Sequence, residues 1–342
     1  MSLLVGLEID GEGAHPAAWR AAGHSPSALL TADHLGAAGR RAEAAGFGFV
    51  TLDDGPVDGA GPDVAGRFDP VGAAAFLSAT TSAIGLVPVV PTVHAEPFHV
   101  SNQLSSLDHA SLGRAGWLVG TRSTGTRTAA LGLPADPDPA AEAADVIEAV
   151  RRLWDSWQDD AVIADEATGR FLDADRVHHV DYVGRSFAIR GPALVPRPPQ
   201  GQVPVVAATG TPGTDVGIVP GPGAPAVENR TLAEIEVVLD DGGRPAARRL
   251  DGLDRHTPWP ISGRERYVGD AAGLVDRLQT LAPHVDAVRL LPAVLEVDGR
   301  VLGEEVLPAL GDLLLRPTTG TTLRDRLGLP RPVGRYVDTR RA

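Results

Sequence analysis

Short β-type segments alternate with helical patterns along most of this chain of 342 residues, and this alternation limits the fold to a few classes. It is typical of parallel βαβ units, because two parallel strands need a crossover connection that is usually a helix. About eight strand segments are predicted, at 3–9, 47–52, 84–90, 115–121, 203–208, 216–219, 235–239 and 287–291. They favour a closed (β/α)8 TIM barrel, and a doubly wound open sheet is kept as an alternative.

Several helix boundaries are marked by residues with known capping preferences. Asp69 followed by Pro70 predicts an N-cap and a first-turn proline, and Asp270 predicts the N-cap of a later helix. Gly46 predicts a left-handed helix end. Residues 139–157 carry apolar side chains at helical spacing, which predicts an amphipathic helix packed on the sheet.

Three regions depart from the alternation. Residues 170–201 alternate in polarity and contain many prolines, which predicts an inserted hairpin and loop rather than a barrel unit. Residues 209–260 are rich in Gly and Pro and show only weak helical signals between their strands. With a C-terminal tail at 316–342, we expect one domain over residues 1–342.

Composition excludes several classes of function. The formal net charge is −13 and the arginines form no basic run, so neither nucleic acid nor an anionic membrane surface is an expected partner. The chain has no Cys and no Lys, which excludes disulfides, thiolate nucleophiles, Schiff-base amines and a P-loop lysine. A basic leader and an apolar run of about 20 residues are both missing, so we expect a cytoplasmic location.

Common catalytic and cofactor motifs are also missing. No Gly-x-Gly-x-x-Gly follows a strand, and neither a Gly-x-Ser-x-Gly elbow nor a His-Glu-x-x-His helix is present. His178 and His179 are adjacent, and adjacent residues on a strand point to opposite faces, so no metal site is predicted.

Polar residues follow several of the predicted strands. In a barrel the catalytic groups lie at the carboxyl ends of the strands. This rule selects Asp53, Asp54, Thr92, His94, Thr121, Arg122, Thr209 and Thr211. Each of them is equally consistent with a helix cap or a solvated loop, and a shift of one residue would exchange the faces of Asp53 and Asp54.

Seven segments carry a resemblance to a known family. They are Phe47–Gly55, Glu96–His99, Ser106–His109, Gly113–Trp117, Val150–Trp157, Arg190–Gly201 and Thr322–Pro332. In order and spacing the chain resembles the bacterial-luciferase-like, flavin-dependent monooxygenases, in the branch of the nitrilotriacetate and dibenzothiophene-sulfone monooxygenases.

The resemblance implies a TIM barrel that receives reduced FMN from a separate flavin reductase and uses O2 to oxygenate a small organic substrate. It also implies a homodimer that pairs through helices beside the early strands. A deazaflavin in place of FMN is an alternative, which would show as hydride transfer without O2 consumption.

Positions that match the family's flavin contacts are Asp54 after strand 2, Thr92 after strand 3, and Gly210 and Thr211 at the start of the phosphate loop. Two residues after strand 4 complete the predicted cofactor site, Thr121 and Arg122. His94 and His99 are the candidates for placing the substrate or assisting proton transfer.

The chain also departs from the family pattern. Leu118 stands where the family has Asn, Arg122 replaces a small hydroxyl residue, and Ala95 occupies the position of a family His. Residues 134–139 shorten a family segment that carries His and Tyr, and residues 212–215 leave no room for the helix that should present its N-terminus to the phosphate. The loss of two or three such contacts with the flavin predicts about tenfold to thousandfold weaker flavin binding. A catalytically degenerate barrel, acting as a structural or regulatory partner, is therefore the alternative function.

Overall fold

The computed structural model describes residues 2–53, 66–120, 132, 138–219 and 230–337. The strands are β1 (Leu4–Glu8), β2 (Phe49–Leu52), β3 (Gly85–Pro91), β4 (Trp117–Gly120), β5 (Val162–Asp165), β6 (Arg170–Leu172), β7 (Tyr182–Val183), β8 (Ala188–Ile189), β9 (Val205–Ala208), β10 (Val216–Val219), β11 (Arg230–Leu239), β12 (Glu265–Gly269) and β13 (Ala287–Pro292). The helices are α1 (Ala32–Ala45), α2 (Pro70–Thr80), α3 (Pro97–Ala110), α4 (Pro139–Asp155), α5 (Ala246–Asp254), α6 (Ala271–Leu281), α7 (Leu295–Val301), α8 (Leu307–Ala309) and α9 (Leu323–Arg326).

Eight parallel strands close into a barrel. The pairing runs β1–β2–β3–β4–β9–β10–β11–β13 and returns from β13 to β1. This confirms the predicted (β/α)8 barrel, because an open sheet would leave two unpaired edges. All eight predicted strand segments overlap these strands.

Strand β11 was only half predicted, and β12 was not predicted at all. The first half of β11 pairs with β10, whereas its second half, from Ile235 to Leu239, pairs with β12. The barrel wall therefore divides beside β11 toward the carboxyl end. A strand that joins a sheet only over half the length of its neighbour has no signal of its own in the sequence.

The predicted helix caps are confirmed. Asp69 and Asp270 each accept a hydrogen bond from the first turn of α2 and α6, at 2.7 and 2.8 Å, and Gly46 ends α1 with a φ of 97°. Helix α3 begins at Pro97, because the Glu96 carboxylate accepts two backbone N–H groups of its first turn. Among the helices in the described ranges, none combines the length and the apolar character needed to cross a lipid bilayer.

The predicted insertion and the shortened loop are both present. The inserted segment forms two hairpins, β5–β6 and β7–β8, and the first of them starts at Val162, before the predicted start at 170. Strands β9 and β10 are joined by residues 209–215 without a helix, as predicted. Helix α4 covers this side instead, since a side chain at Gly213 would collide with Ile147.

The amino end of the barrel is closed by apolar side chains. Its interior contains Leu4, Phe49, Val87, Val89, Leu118, Val206, Val216, Leu232 and Ala287. From below, α9 inserts Leu323, which would contact added side chains at Gly85 and Gly116, and Leu327 packs beside it. A ligand site is therefore expected at the carboxyl end, where active sites usually lie in this fold.

Candidate functional site

One half of the barrel mouth is lined by small or apolar groups. Side chains alternate along a strand, so every second residue of a barrel strand faces the interior. The last interior positions of β3, β4, β9 and β10 are Pro91, Gly120, Ala208 and Ile218. The interior residues below them are buried, whereas Ala208 is exposed and the other three are half-buried. Among the described residues, these four positions form the more accessible side of the mouth.

The opposite half of the mouth is ionic. Arg289 of β13 is almost fully buried and forms ion pairs with Glu8 of β1 and Glu234 of β11, and its Nε donates to Thr51 Oγ1 over 2.9 Å. Burial alone would lower the pKa of the Arg289 guanidinium, but the carboxylates of Glu8 and Glu234 raise it instead. This arginine is therefore permanently charged.

Strand β12 and the segment just before it extend the ionic half toward the rim. Arg264 Nε lies 2.7 Å from Glu234 Oε2, and Arg266 Nε lies 2.7 Å from Glu236 Oε2. Ser262 Oγ donates to Glu236 over 2.5 Å. Three guanidinium groups thus face three carboxylates, so this wall is polar without an excess of charge. It was not predicted from the sequence, where the available signal was two glutamates at alternating positions in the otherwise apolar residues 232–239 of β11.

Thr92 and His94 lie directly after β3. Thr92 is fully buried, and its N–H and Oγ1 both donate to the carbonyl oxygen of Gly120, at 3.0 and 3.4 Å. His94 has a φ of 58°, and its buried Nε2 has no hydrogen-bond partner among the described residues. A strained backbone and an unpaired buried polar atom each cost about 1–3 kcal/mol, and such features are frequent at functional sites.

The other predicted residues are distributed as follows. His99 is exposed on the first turn of α3, where its N–H donates to Glu96, so it lies apart from the buried His94 ring nitrogen. Gly210 is exposed, with a φ of 89° and free space where a side chain would be. Thr211 is half-buried, and its N–H donates to Ala208 O over 3.1 Å. Three predicted cofactor contacts lie outside the described residues: Asp54, Thr121 and Arg122.

Two acids that were not predicted lie on the loop after β1. Burial raises the pKa of Asp10 to about 7, although the adjacent Arg67 opposes the shift. Burial also raises the pKa of Glu12 to about 7, against the influence of His24, whose Nε2 lies 3.2 Å from Glu12 Oε2. Nothing in a loop sequence indicates how deeply its acids are buried, so these shifts depend on the tertiary structure.

The adjacent histidines of the insertion have structural contacts. The His178 ring stacks on Tyr336 with 4.3 Å between ring centroids, and His179 Nδ1 lies 2.9 Å from Gly191 O. No group of three or more potential metal ligands occurs within the described part of the chain.

Comparison with known proteins decides the family. The family model described as luciferase-like monooxygenase matches residues 14–215. The B component of pristinamycin IIA synthase from Streptomyces pristinaespiralis is 35% identical over 307 residues, which cover 88% of this chain and 90% of that protein. The chain belongs to the luciferase-like monooxygenase family.

Other members agree with this assignment. Nitrilotriacetate monooxygenase component A of Aminobacter aminovorans is 37% identical over 140 residues, 40% of this chain and 31% of that protein, which confirms the predicted branch. The A component of the same pristinamycin IIA synthase is 32% identical over 214 residues, 60% of this chain and 46% of that protein. A crystal structure of riboflavin lyase superposes with a TM-score of 0.81 at 23% identity over 97% of both chains, which supports the fold.

Members of this family are flavin-dependent, which makes the loop after β9 a potential phosphate site. Gly210 leaves space for close approach of a ligand, and Thr211 brings a hydroxyl to the same turn. No helix N-terminus follows them within residues 209–219. Arg151 reaches this loop, but its guanidinium donates to the carbonyl of Gly213 and to Asp215. The Thr211 N–H already donates to Ala208 O, so the turn offers a ligand the Thr211 hydroxyl and the space beside Gly210, without a helix dipole.

Proposed function

We propose that this chain is the oxygenating component of a two-component monooxygenase, which takes reduced FMN from a separate flavin reductase and oxygenates a small organic substrate. The observation that carries the proposal is the open, apolar half of the barrel mouth formed by Pro91, Gly120, Ala208 and Ile218. Bound reduced flavin would supply the reaction with O2, and the protein would supply orientation and exclusion of water.

The composition of the mouth supports a largely apolar ligand. Gly120 packs closely on β3, since an added side chain would contact Val89 and Pro91. The exposed Ala208 therefore marks the accessible part of this half, and the buried apolar side chains beneath it form a floor. The ionic wall on the opposite side is already internally paired, so it can offer hydrogen bonds without a strong net field. Such a combination of apolar surface and few polar groups is usual for cofactor sites.

His94 is the proposed residue for proton transfer or substrate placement. Its Nε2 is buried without a hydrogen-bond partner among the described residues. Its backbone has a φ of 58°, a strained conformation in the loop just after Thr92. A ligand at the mouth could pair with this nitrogen and so recover the hydrogen bond that the free protein lacks. His99 is the weaker candidate, because it is exposed on α3.

Cofactor contacts are proposed at Thr92, Gly210 and Thr211, and also at Asp54, Thr121 and Arg122. Thr92 is fully buried and its hydroxyl donates to Gly120, so it would act by holding the end of β4 that a flavin contacts rather than by a direct hydrogen bond. Gly210 and Thr211 would hold the phosphate. Since α4 and a direct loop replace the usual phosphate helix, we expect weaker binding of FMN than a helix N-terminus would provide.

A second candidate function is that of a non-catalytic partner, with little activity of its own. It is favoured by the likeness to two different components of one synthase, together with the missing phosphate helix. Either function is compatible with a dimer. Helix α2 contains no charged residue, and Phe76 lies exposed on it together with Ala75 and Ala79, which suits pairing with another barrel.

The deciding experiment is an anaerobic titration of the purified chain with oxidised and with dithionite-reduced FMN. O2 is then added, and the reoxidation of the flavin is followed by its absorbance. Micromolar binding of the reduced form, together with a rate of flavin reoxidation by O2 that differs from that of free reduced FMN, would support the monooxygenase. A parallel titration with a deazaflavin tests the alternative cofactor, and binding of the deazaflavin but not of FMN would indicate a deazaflavin enzyme instead. Absence of binding at millimolar flavin would contradict the monooxygenase hypothesis. The non-catalytic partner would then remain, and copurification with a homologous chain would test it.

A further inference from the structure

A shallow cleft lies outside the barrel wall, beyond the carboxyl ends of β1 and β2. It is separate from the mouth, because Ile9 and Leu52 face the surrounding helices rather than the barrel interior. Most of its walls are apolar, and all of them belong to the described residues: Ile9, Leu29, Leu30, Leu35, Leu52, Phe68 and Ala73. Its polar groups are Asp10, His34 and Arg67.

Arg67 is the cation of this cleft. Its Nη1 forms an ion pair with Asp10 and lies 3.9 Å from Asp53 Oδ2, and its side chain retains 25% exposure. One guanidinium therefore stands between two carboxylates at the edge of an apolar surface. Arginine binds carboxylates through a planar fork of donors, so an external carboxylate is a chemically matched competitor for Asp10.

Asp10, the carboxylate that already pairs with Arg67, is a weak competitor for an external carboxylate. Burial raises the pKa of Asp10 to about 7, so near neutral pH this side chain is protonated in about half of the molecules and then holds Arg67 only loosely. Four charged side chains act on Asp10: Arg67, Glu8, Asp53 and Arg289. Burial lowers the pKa of the nearby His34, and the neighbouring His24 and Arg41 lower it further.

We infer that this cleft binds a small aliphatic carboxylate, whose carboxylate group replaces Asp10 on Arg67 and whose chain lies against Leu29, Leu35 and Phe68. Asp10 takes a proton from solvent when it is displaced, so one negative charge replaces another beside Arg67. The inference does not depend on flavin binding or on the proposed oxygenation, and it is tested on the flavin-free protein.

The test is titration calorimetry with hexanoate at pH 6 and pH 8, where the probe is ionised throughout. Because Asp10 must be protonated, the Kd should be about tenfold weaker at pH 8 than at pH 6. Asp10→Asn should bind equally at both pH values, with the tighter of the two affinities. Arg67→Gln should lose binding, whereas Arg248→Gln, at an exposed position of α5 far from the cleft, should behave as the wild type.

Three outcomes would overturn the inference. They are no hexanoate binding at tens of millimolar, equal affinity of the wild type at both pH values, and binding of hexan-1-ol as tight as that of hexanoate. Circular dichroism shows whether Arg67→Gln folds. If it does not, the affinity of Asp10→Asn for hexanoate at pH 8 decides the question: a gain over the wild type supports the inference, and no gain contradicts it. Proton uptake upon binding, read from two buffers with different ionisation enthalpies, is the independent check on Asp10.

Discussion

Arg289 Nε donates a hydrogen bond to Thr51 Oγ1 over 2.9 Å across the interior of the barrel, and so links the last barrel strand to the second. The same guanidinium neutralises Glu8 and Glu234, which lie on the two strands that flank β13. A single side chain thus connects four strands of the closed barrel. This connection makes the ionic half of the mouth a rigid wall rather than a set of solvated charges.

Removal of Arg289 should strongly destabilise the protein. Arg289→Ala leaves Glu8 and Glu234 buried without their principal cation, which typically costs about 3–5 kcal/mol. Urea denaturation at pH 7 measures the change in the free energy of unfolding. Arg264→Ala is the matched control, since Arg264 pairs with the same Glu234 from a more exposed position, and its effect should be clearly smaller. Equal effects would contradict the central role of Arg289.

Leu323 should be a major contributor to stability although it lies near the C-terminus. Its side chain is buried inside the amino end of the barrel against β2 and β3. Leu323→Ala is expected to lower the free energy of unfolding by about 2–5 kcal/mol, because it opens a cavity in a closed core. Val333→Ala, at a position of the same tail that is 72% exposed, should leave the denaturation midpoint unchanged.

Asp108 should make stability depend on pH. Burial raises its pKa from the unfolded value of 3.8 to about 6, against hydrogen bonds from Gln200 and the N–H of Ala115. The folded state therefore holds the proton more tightly, and this contribution to stability is lost as pH rises from about 4 to about 6. Asp108→Asn should gain stability relative to the wild type across that window, by up to about 3 kcal/mol.

The measurement is chemical denaturation at several pH values between 4 and 7. Asp33→Asn, at an exposed position on α1, serves as the control and should show no change in slope. A difference between wild type and Asp108→Asn that stays constant with pH would show that Asp108 keeps its ordinary pKa in the folded protein.

His94 should combine a cost in stability with a benefit in function. His94→Gly removes the strain of a φ of 58° and the unpaired Nε2, so thermal denaturation should show a gain of about 1 kcal/mol. The same variant should lose substrate oxidation if the proposed function is correct. His94→Ala separates the two effects, because alanine loses the ring but keeps the strain; if it gains as much stability as glycine, backbone strain is not the cause.

The local elements of this fold were predictable because their signals lie within a few residues of one another. Asp69, Gly46 and Asp270 cap their helices as predicted, since a cap needs only its own first or last turn. The barrel strands were found because a buried parallel strand is an unbroken apolar run. Among the predicted site residues, Thr92 and His94 follow β3 at the mouth, while His99 belongs to the exposed turn of α3.

The amino-acid sequence by itself thus determined the barrel class, the family and the absence of a helix between β9 and β10. Only the tertiary structure decided that β12 joins β11, that Arg289 lies among Glu8, Glu234 and Thr51, and that Asp10 is buried beside Arg67. The physical reason is distance along the chain. Local propensity and capping act between near neighbours, whereas the burial of a charge and its partners depend on residues hundreds of positions away that meet only when the barrel closes.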